Sequence, residues 1–416
     1  MNPNLFDTYL ESMNFLNEIS INYPRAISFG SGRPPEDFFN VESALQSIPS
    51  FVEAHRPADK SRDEFFNYLG QYNKTKGIIN DSIAILLAND EQITANPEDI
   101  IVTDGAQEGM AIVINTLFSP PDDFLLVSDP SYVGFVGYAK IAGIPVQPIK
   151  RDFDSIDLAD LESTAKRLLK QGKRPRALYE VPDFHNPTGN YMPLQRRREL
   201  LELAERYDFY IIEDNPYGYF RYDAEKIPTL KALDHQQRVI YLGSFSKSLF
   251  PSIRLGYLVV DQKLKVGNRV YGLAEECKKV KSFLTVNTST LLQAMAGAVL
   301  LKENHSLKAF CQAKVEQCKK NRNVLLGALE SYFPPDQKWQ KPAGGFFMAV
   351  DLPFPMTNEL LLECVEKYGV IVCPMTMFCI DKSHRTNQIR VAFSNLTAPV
   401  IEQGIERLAR FIRSKL

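Results

Sequence analysis

The sequence lacks the long apolar runs that would carry a chain into a membrane. No apolar run approaches about 18 residues, the length that a membrane-spanning helix needs. The first seven residues, Met-Asn-Pro-Asn-Leu-Phe-Asp, are polar and acidic, whereas a secretory leader starts basic and continues apolar. We therefore expect no signal peptide and no membrane partner.

Cysteine is also scarce, and none of the six cysteines forms a C-x-x-C pair. Such pairs are typical of metal sites and of redox-active thiols. The five histidines are scattered along the chain. We therefore expect no metal ion, and the cysteine pattern fits a reducing, cytoplasmic location.

No excess of charge of one sign is present. The chain has 48 basic and 50 acidic residues, so nothing in its charge predicts a nucleic-acid partner. It also has no internal repeat and no low-complexity stretch. With 416 residues it is long enough for two lobes with a large core.

Strand-like and helix-like runs alternate between residues 80 and 260, which predicts a mostly parallel sheet with helices on both faces. One predicted helix covers residues 194–207, after a proline at its start. Another is expected from residue 264 to about 301. The strand-like runs are residues 100–103, 124–128, 177–181, 210–213, 239–243 and 256–260.

Lys247 is the first candidate for chemistry. It lies in residues 244–257, Ser-Phe-Ser-Lys-Ser-Leu-Phe-Pro-Ser-Ile-Arg-Leu-Gly-Tyr, directly after an apolar run. Burial beside a cation such as Arg254 lowers a lysine pKa and supplies the neutral amine that attacks an aldehyde cofactor. Ser244, Ser246 and Arg254 could then hold a phosphate. Taken alone, one lysine among 48 basic residues is usually a solvated side chain.

Three further segments carry candidate site residues. In residues 102–110, Val-Thr-Asp-Gly-Ala-Gln-Glu-Gly-Met, a strand feeds a small-residue turn and a helix, whose first N–H groups form an anion site. Residues 181–189, Val-Pro-Asp-Phe-His-Asn-Pro-Thr-Gly, contain the pairs Asn-Pro and Thr-Gly, which predict a loop. Residues 210–217, Tyr-Ile-Ile-Glu-Asp-Asn-Pro-Tyr, predict a buried strand that ends in two carboxylates. Alternation places Glu213 and Asp214 on opposite faces.

These segments, in this order, resemble the class I/II aminotransferases of fold type I, which use pyridoxal 5′-phosphate. The lysine segment is similar to S-x-S-K-x-x-x-P-G-x-R-x-G-Y, although Ser252 stands in place of its glycine. The spacings of 28 residues from Asn186 to Asp214 and 33 from Asp214 to Lys247 are also similar to those of the family. The resemblance implies an α/β fold with a seven-stranded, mostly parallel sheet in a large domain, residues 48–300. A smaller α+β domain would contain residues 1–47 and 301–416.

The resemblance also implies a role for each site residue. Lys247 would bind the cofactor covalently and Arg390, in Q-I-R-V-A-F, would bind the substrate α-carboxylate. Tyr132, in P-S-Y-V-G, would stack on the cofactor ring, and Asp214 would pair with the ring nitrogen. The remaining predicted cofactor-binding residues are Gly105, Ala106, Gln107, Ser244, Ser246 and Arg254 at the phosphate, and Asn186 and Tyr217 at the phenolic oxygen. His185 is expected to pack nearby without a catalytic role.

The resemblance implies a homodimer with shared active sites, because Tyr72, in Q-Y-N-K-T-K-G, would reach the phosphate of the other subunit. The implied activity is ping-pong transfer of an amino group between an L-amino acid and a 2-oxo acid. Other enzymes of this fold (decarboxylases, lyases, racemases) and a cofactor-sensing regulator or binding protein are the alternatives. No winged-helix DNA-binding segment is recognised before residue 25, which disfavours the regulator.

The N-terminal arm, residues 26–39, resembles the kynurenine/2-aminoadipate branch, which takes long acidic, aromatic and branched substrates with 2-oxoglutarate as a common acceptor. Arg33 in this arm would lie at the side-chain end of the pocket. The presence of an arginine in this arm also resembles the pattern of transaminases that make arylglycines. Residues 374–378, Pro-Met-Thr-Met-Phe, replace a frequent Pro-Gly, so we expect Met375 and Met377 to reshape the substrate pocket.

Overall fold

The computed structural model describes residues 2–152 and 155–416. The helices are α1 Glu11–Asn22, α2 Val41–Gln46, α3 Ile48–His55, α4 Arg62–Leu69, α5 Asn80–Glu91, α6 Gly105–Leu117, α7 Val133–Ile141, α8 Leu158–Lys170, α9 Leu194–Arg206, α10 Leu230–Leu233, α11 Phe245–Ser248, α12 Leu273–Leu284, α13 Thr290–Lys302, α14 Lys308–Tyr332, α15 Asn358–Tyr368 and α16 Ala398–Arg413. The strands are β1 Ile27–Ser28, β2 Ile100–Thr103, β3 Asp123–Asp129, β4 Val146–Lys150, β5 Arg174–Glu180, β6 Tyr210–Asp214, β7 Val239–Ser244, β8 Gly256–Val259, β9 Lys263–Val266, β10 Arg269–Gly272, β11 Phe347–Asp351, β12 Val370–Ile371, β13 Cys373–Pro374 and β14 Gln388–Ala392.

A seven-stranded sheet organises the centre of the molecule, in the order β2-β8-β7-β6-β5-β3-β4. Strand β8 is antiparallel to both of its neighbours, and the other pairs are parallel. The prediction of a mostly parallel sheet flanked by helices is therefore confirmed. The carboxyl ends of β6 and β7 lie side by side, which brings Asp214 and Ser244 to the same edge.

The sheet is buried because its strands are almost continuously apolar. All four residues of β2 are buried, as is typical of a strand covered on both faces. Helices supply the covering layers. In α16, Ile401, Ile405, Leu408 and Ile412 recur at helical spacing and are fully buried. None of the helices in the described chain combines the length and apolarity that a bilayer crossing requires.

The prediction of continuous helix from residue 264 to about 301 is wrong. Strands β9 and β10 form an antiparallel hairpin there, and α12 and α13 are separated by a loop. Gly267 has φ of +60° in the turn, a conformation that glycine adopts without strain. The Gly-Asn pair between two short alternating runs is a hairpin signal, and the prediction overlooked it.

The N-terminal arm is joined to the C-terminal part of the chain. Strand β1 pairs in parallel with β12, and β11, β14 and β13 form a separate antiparallel sheet. Arg390 lies within β14. The segment that follows β1 therefore runs between this small sheet and the carboxyl edge of the central sheet, where the predicted site residues meet.

Candidate active site

A cavity at this edge brings together most of the residues predicted from the sequence. It is bounded by the central sheet, the arm after β1 and the small sheet. The predicted residues that line it are Arg33, Ala106, Gln107, Tyr132, Asn186, Asp214, Tyr217, Ser244, Ser246, Lys247, Arg254 and Arg390. Gly105 lies directly beside Arg254, and Tyr72 lies elsewhere on the surface.

Lys247 lies in the short helix α11, immediately after β7. Its Nζ donates a hydrogen bond to the carbonyl oxygen of Gly32 in the arm, at 2.9 Å. Burial lowers the pKa of Lys247 to about 8, and the positive charges of Arg254 and Arg390 act in the same direction. About a tenth of this amine is therefore neutral at pH 7, far more than of an ordinary lysine, and the neutral form is the one that attacks an aldehyde.

Asp214 ends β6 and is buried. Its Oδ2 accepts a hydrogen bond from the Tyr179 hydroxyl at 2.7 Å, whereas its Oδ1 has no hydrogen-bond partner among the described residues. Burial raises the pKa of Asp214 to about 7. Glu213 lies on the other face of the strand, where its two oxygens accept hydrogen bonds from the backbone N–H groups of Leu230 and Lys231.

The turn before α6 is tightly packed against Arg254. Gly105 has φ of +72°, and a Cβ atom there would lie 2.5 Å from Nη2 of Arg254. A Cβ on Gly256 would lie 2.7 Å from the backbone nitrogen of Ala106. Glycine is therefore required at both positions for the guanidinium and the first N–H groups of α6 to face the same space. Positive charge and helix N–H groups together form an anion site.

Arg390 is held rigidly at the opposite side of the cavity. Its Nη1 donates to Asn186 Oδ1 at 2.8 Å and its Nη2 to the Gly30 carbonyl oxygen at 2.6 Å. The guanidinium lies between the rings of Phe347 and Phe378, with 4.4 Å to each ring centroid. Its Nε has no partner among the described residues. A fixed planar cation of this kind suits a carboxylate ligand.

Two aromatic residues complete the predicted set. The Tyr132 hydroxyl donates to Gln107 Oε1 at 3.3 Å. Tyr217 packs edge-on against Phe347, at 5.7 Å between ring centroids. His185 is buried with Nδ1 at 3.0 Å from the Thr188 hydroxyl and does not line the cavity.

The expectation that Met375 and Met377 reshape the pocket is not supported by their positions. Both side chains are buried in the core, and neither lines the cavity. The residue of this segment that faces the cavity is Phe378, because the segment forms a single 3-10 turn that directs its methionines into the core.

Several residues that line the cavity were not predicted from the sequence. Tyr179, Phe347 and the backbone of residues 30–32 line the cavity and contact the predicted residues. Tyr179 gave no signal, since only the observed pairing of β5 with β6 places it beside Asp214. The carbonyl oxygens of Gly30 and Gly32 gave none, because every residue has such a group.

The residues present fit pyridoxal 5′-phosphate. Oδ1 of Asp214 is a buried acceptor without a donor, as a carboxylate awaiting the proton of a ring nitrogen would be. The anion site at α6 and Arg254 suits a phosphate, and Lys247 lies in the same cavity. Within the described residues, no cluster of three or more His, Cys, Asp or Glu side chains could hold a metal ion.

Comparisons with known proteins show the family of the chain. The family model described as aminotransferase class I and II matches residues 25–408. The chain is 40% identical to (S)-3,5-dihydroxyphenylglycine transaminase of Amycolatopsis orientalis, over 100% of this chain and 94% of that protein.

Solved structures give the same result. The multiple substrate aminotransferase of Thermococcus profundus has a TM-score of 0.84 and 30% identity, with 97% of this chain and 94% of that chain covered. The kynurenine aminotransferase of Pyrococcus horikoshii, solved in complex with PMP, has a TM-score of 0.83 and 29% identity, with the same coverage. The chain belongs to the class I and II aminotransferases of fold type I, enzymes that use pyridoxal 5′-phosphate.

Proposed function

We propose that the protein moves an amino group between a bulky L-amino acid, aromatic or aminoadipate-like, and a 2-oxo acid such as 2-oxoglutarate. The observation that carries the proposal is the presence of Lys247 and Arg390 in one cavity. The first supplies a partly neutral amine, and the second a rigid cation for an α-carboxylate. A decarboxylase, lyase or racemase of this fold would also keep Lys247 and Asp214, and Arg390 favours transamination.

The cofactor, when bound, supplies an aldehyde that takes up an amino group and a ring that withdraws electrons from the reacting carbon. We infer that Asp214 Oδ1 would accept a hydrogen bond from the protonated ring nitrogen and that Tyr132 would pack against the ring. Asn186 would donate from its Nδ2 to the phenolic oxygen, while its Oδ1 accepts a hydrogen bond from Arg390. Tyr217 is the second donor. The proposed phosphate ligands are Gly105, Ala106, Gln107, Ser244, Ser246 and Arg254.

The proton transfer falls to Lys247. Once its Nζ is free and neutral, it accepts the proton from the substrate Cα and delivers it to the C4′ carbon of the cofactor, acting as base and then as acid. Arg390 would hold the α-carboxylate through two parallel hydrogen bonds and so fix the Cα proton relative to Nζ. The second half-reaction reverses these steps with another oxo acid.

A panel of amino acids tests this proposal. The holoenzyme is mixed with arylglycines, tyrosine, kynurenine, 2-aminoadipate and alanine, and the absorbance of the cofactor's aldehyde form is followed as it changes to the amine form. Stoichiometric conversion by a bulky donor, with release of its 2-oxo acid, is the expected result. Release of carbon dioxide or of a racemised amino acid without conversion would favour an alternative activity.

The surface around Tyr72 supports a homodimer with shared active sites. Tyr72 is 78% exposed, and the neighbouring loop between α12 and α13 is surrounded by exposed apolar side chains. The backbone N–H of Asn73 donates to Asn287 Oδ1 at 3.5 Å, which links the segment of Tyr72 to this loop. The exposed apolar side chains of that loop and of its flanking helices are Phe283, Leu284, Val286 and Leu291. A second copy of the chain would cover them and receive Tyr72.

Tyr72→Phe tests the shared site. If the hydroxyl binds the partner's phosphate, its loss should weaken cofactor binding by roughly ten- to a hundredfold, the value of one charge-assisted hydrogen bond. The cofactor dissociation constant and the mass by light scattering are measured together. Tyr332→Phe, at a half-buried tyrosine in the C-terminal part, is the control and should leave cofactor binding unchanged. A fully active monomer would overturn the shared site.

Arg33 supports a bulky or acidic substrate side chain. It is exposed, it lines the cavity, and its guanidinium has no ion-pair partner among the described residues. We infer that it binds a distal carboxylate or stacks on an aromatic substrate, two contacts that arginine makes well.

Arg33→Ala should therefore raise the KM for 2-oxoglutarate or an aromatic donor and leave the KM for alanine almost unchanged. Arg25→Ala, at an exposed arginine directly before the arm and outside the cavity lining, is the matched control and should change neither value. Equal effects of Arg33→Ala on every substrate, or no effect, would mean that Arg33 does not contact the substrate side chain.

The remaining parts of the proposal concern organisation. We propose a large domain of residues 48–300 and a small domain of residues 1–47 and 301–416, supported by the pairing of β1 with β12. We also propose a reducing location such as the cytoplasm. All six cysteines are buried and free, as is usual for such a compartment.

A further inference from the structure

Tyr179 is buried beside the carboxylate of Asp214 and has no role in the function proposed so far. It lies on β5, where it is in register with Ile212 of β6. Asp214 follows two residues later and therefore projects from the same face of the sheet. The Tyr179 ring stacks on Phe135, with 4.2 Å between centroids, so the direction of its hydroxyl is fixed by packing.

The hydroxyl of Tyr179 is the one hydrogen-bond donor to the Asp214 side chain among the described residues. Lys247 acts on the carboxylate through its positive charge, and Tyr132 and Tyr217 lie near it as neutral phenols, but none of the three donates a hydrogen bond to it. Because the carboxylate is buried, its ionised form depends on donors within reach. Oδ2 accepts the hydrogen bond from Tyr179, and Oδ1 is available to a ligand in the cavity.

We propose that Tyr179 is a positioning residue that holds Asp214 as a carboxylate with Oδ1 directed at the ring nitrogen of the cofactor. This inference rests on the proposed role of Asp214. The proton between Oδ1 and the ring nitrogen belongs to the nitrogen only while the carboxylate is the weaker base. The hydrogen bond from Tyr179 stabilises the negative charge on the carboxylate and so keeps the proton on the nitrogen, where it makes the ring electron-withdrawing.

The test is the ¹⁵N resonance of holoenzyme that carries ring-¹⁵N-labelled pyridoxal 5′-phosphate, a readout independent of turnover. In Tyr179→Phe, which keeps the ring and its stacking, the balance between protonated nitrogen and protonated carboxyl should shift toward the carboxyl by about ten- to a hundredfold. The resonance should move toward that of neutral pyridine. A fluorinated tyrosine at position 179, which is a stronger donor of the same shape, should move it in the opposite direction.

The chain offers a matched control. The hydroxyl of Tyr219 also donates to a buried aspartate, Asp90, at 2.7 Å, and neither residue lines the cavity. Tyr219→Phe removes an equivalent bond and should leave the resonance at its wild-type position. A resonance that moves equally in both variants would mean a general loosening of the fold and would overturn the role of Tyr179.

Asp214→Asn separates this inference from the proposed function. If Asp214→Asn moves the resonance and Tyr179→Phe does not, the positioning role is wrong and the role of Asp214 stands. If neither variant moves it, Asp214 does not protonate the ring and both proposals fail. Movement in both, with the control unchanged and the fluorinated tyrosine opposite in sign, supports the inference.

Discussion

Replacement of Lys247 by alanine is expected to leave a protein that binds the cofactor through phosphate and ring contacts but turns over at least roughly a thousandfold more slowly. General acid–base catalysis alone contributes about 10²–10⁴-fold, and the covalent attachment is lost at the same time. Cofactor binding should fall far less, because Arg254, Asp214 and the turn at Gly105 remain. The comparison requires kcat and the cofactor dissociation constant of the same preparation.

Borohydride reduction of the wild-type holoenzyme should attach the cofactor to Lys247. Lys314 provides an internal control, because burial also lowers its pKa. Its Nζ donates to the carbonyl oxygens of Ser248 and Leu249, and it does not line the cavity. A depressed pKa alone would make both lysines reactive, so a label found on Lys314 would refute the assignment.

The pH dependence of covalent cofactor attachment follows from the pKa of Lys247. Burial and neighbouring cations disfavour the charged ammonium of Lys247, so its pKa falls from the ordinary value to about 8. The neutral amine therefore accumulates as the pH rises through about 8. The rate of covalent capture by the apoprotein should increase over that range and level off above it, whereas an ordinary lysine would continue to gain reactivity to about pH 10.

The strands and the main catalytic candidates could be predicted because they depend on local patterns. Apolar runs identified six strands of the central sheet, and alternation alone separated Asp214 from Glu213. Strand β4, by contrast, was not among those runs: two of the five residues in its sequence, Val-Gln-Pro-Ile-Lys, are polar and one is proline. Proline and polar residues are uncommon inside strands, so no apolar run marked β4, whereas β2 at the other edge of the sheet is Ile-Ile-Val-Thr and was predicted.

The parts of the site that could not be predicted depend on contacts between distant segments. Arg390 and Phe378 are close because β14 lies beside the turn that follows β13, and no spacing in the sequence reports that distance. The hydrogen bond between Tyr179 and Asp214 joins residues 35 positions apart. Such pairs become visible only when the register between strands is known.

Asp214→Asn is expected to slow removal of the substrate Cα proton by roughly a hundred- to a thousandfold, the loss typical when one preorganised electrostatic partner is removed. The amide has nearly the same shape and still accepts the hydrogen bond from Tyr179, but it lacks the negative charge that holds the proton on the ring nitrogen. Attachment of the cofactor to Lys247 should change little, since the amine and the phosphate site are intact.

Single-turnover kinetics with Cα-deuterated donor separate the two steps, because only proton removal carries the isotope effect. Glu213→Gln is the neighbouring control. Glu213 accepts backbone N–H groups on both oxygens, so an amide there should cost about 1–3 kcal/mol of stability and leave the Cα step within a few fold. If Asp214→Asn slows attachment and proton removal equally, Asp214 serves the fold and not the ring, since a charge that acts through the ring nitrogen affects the carbanion and spares the step before it.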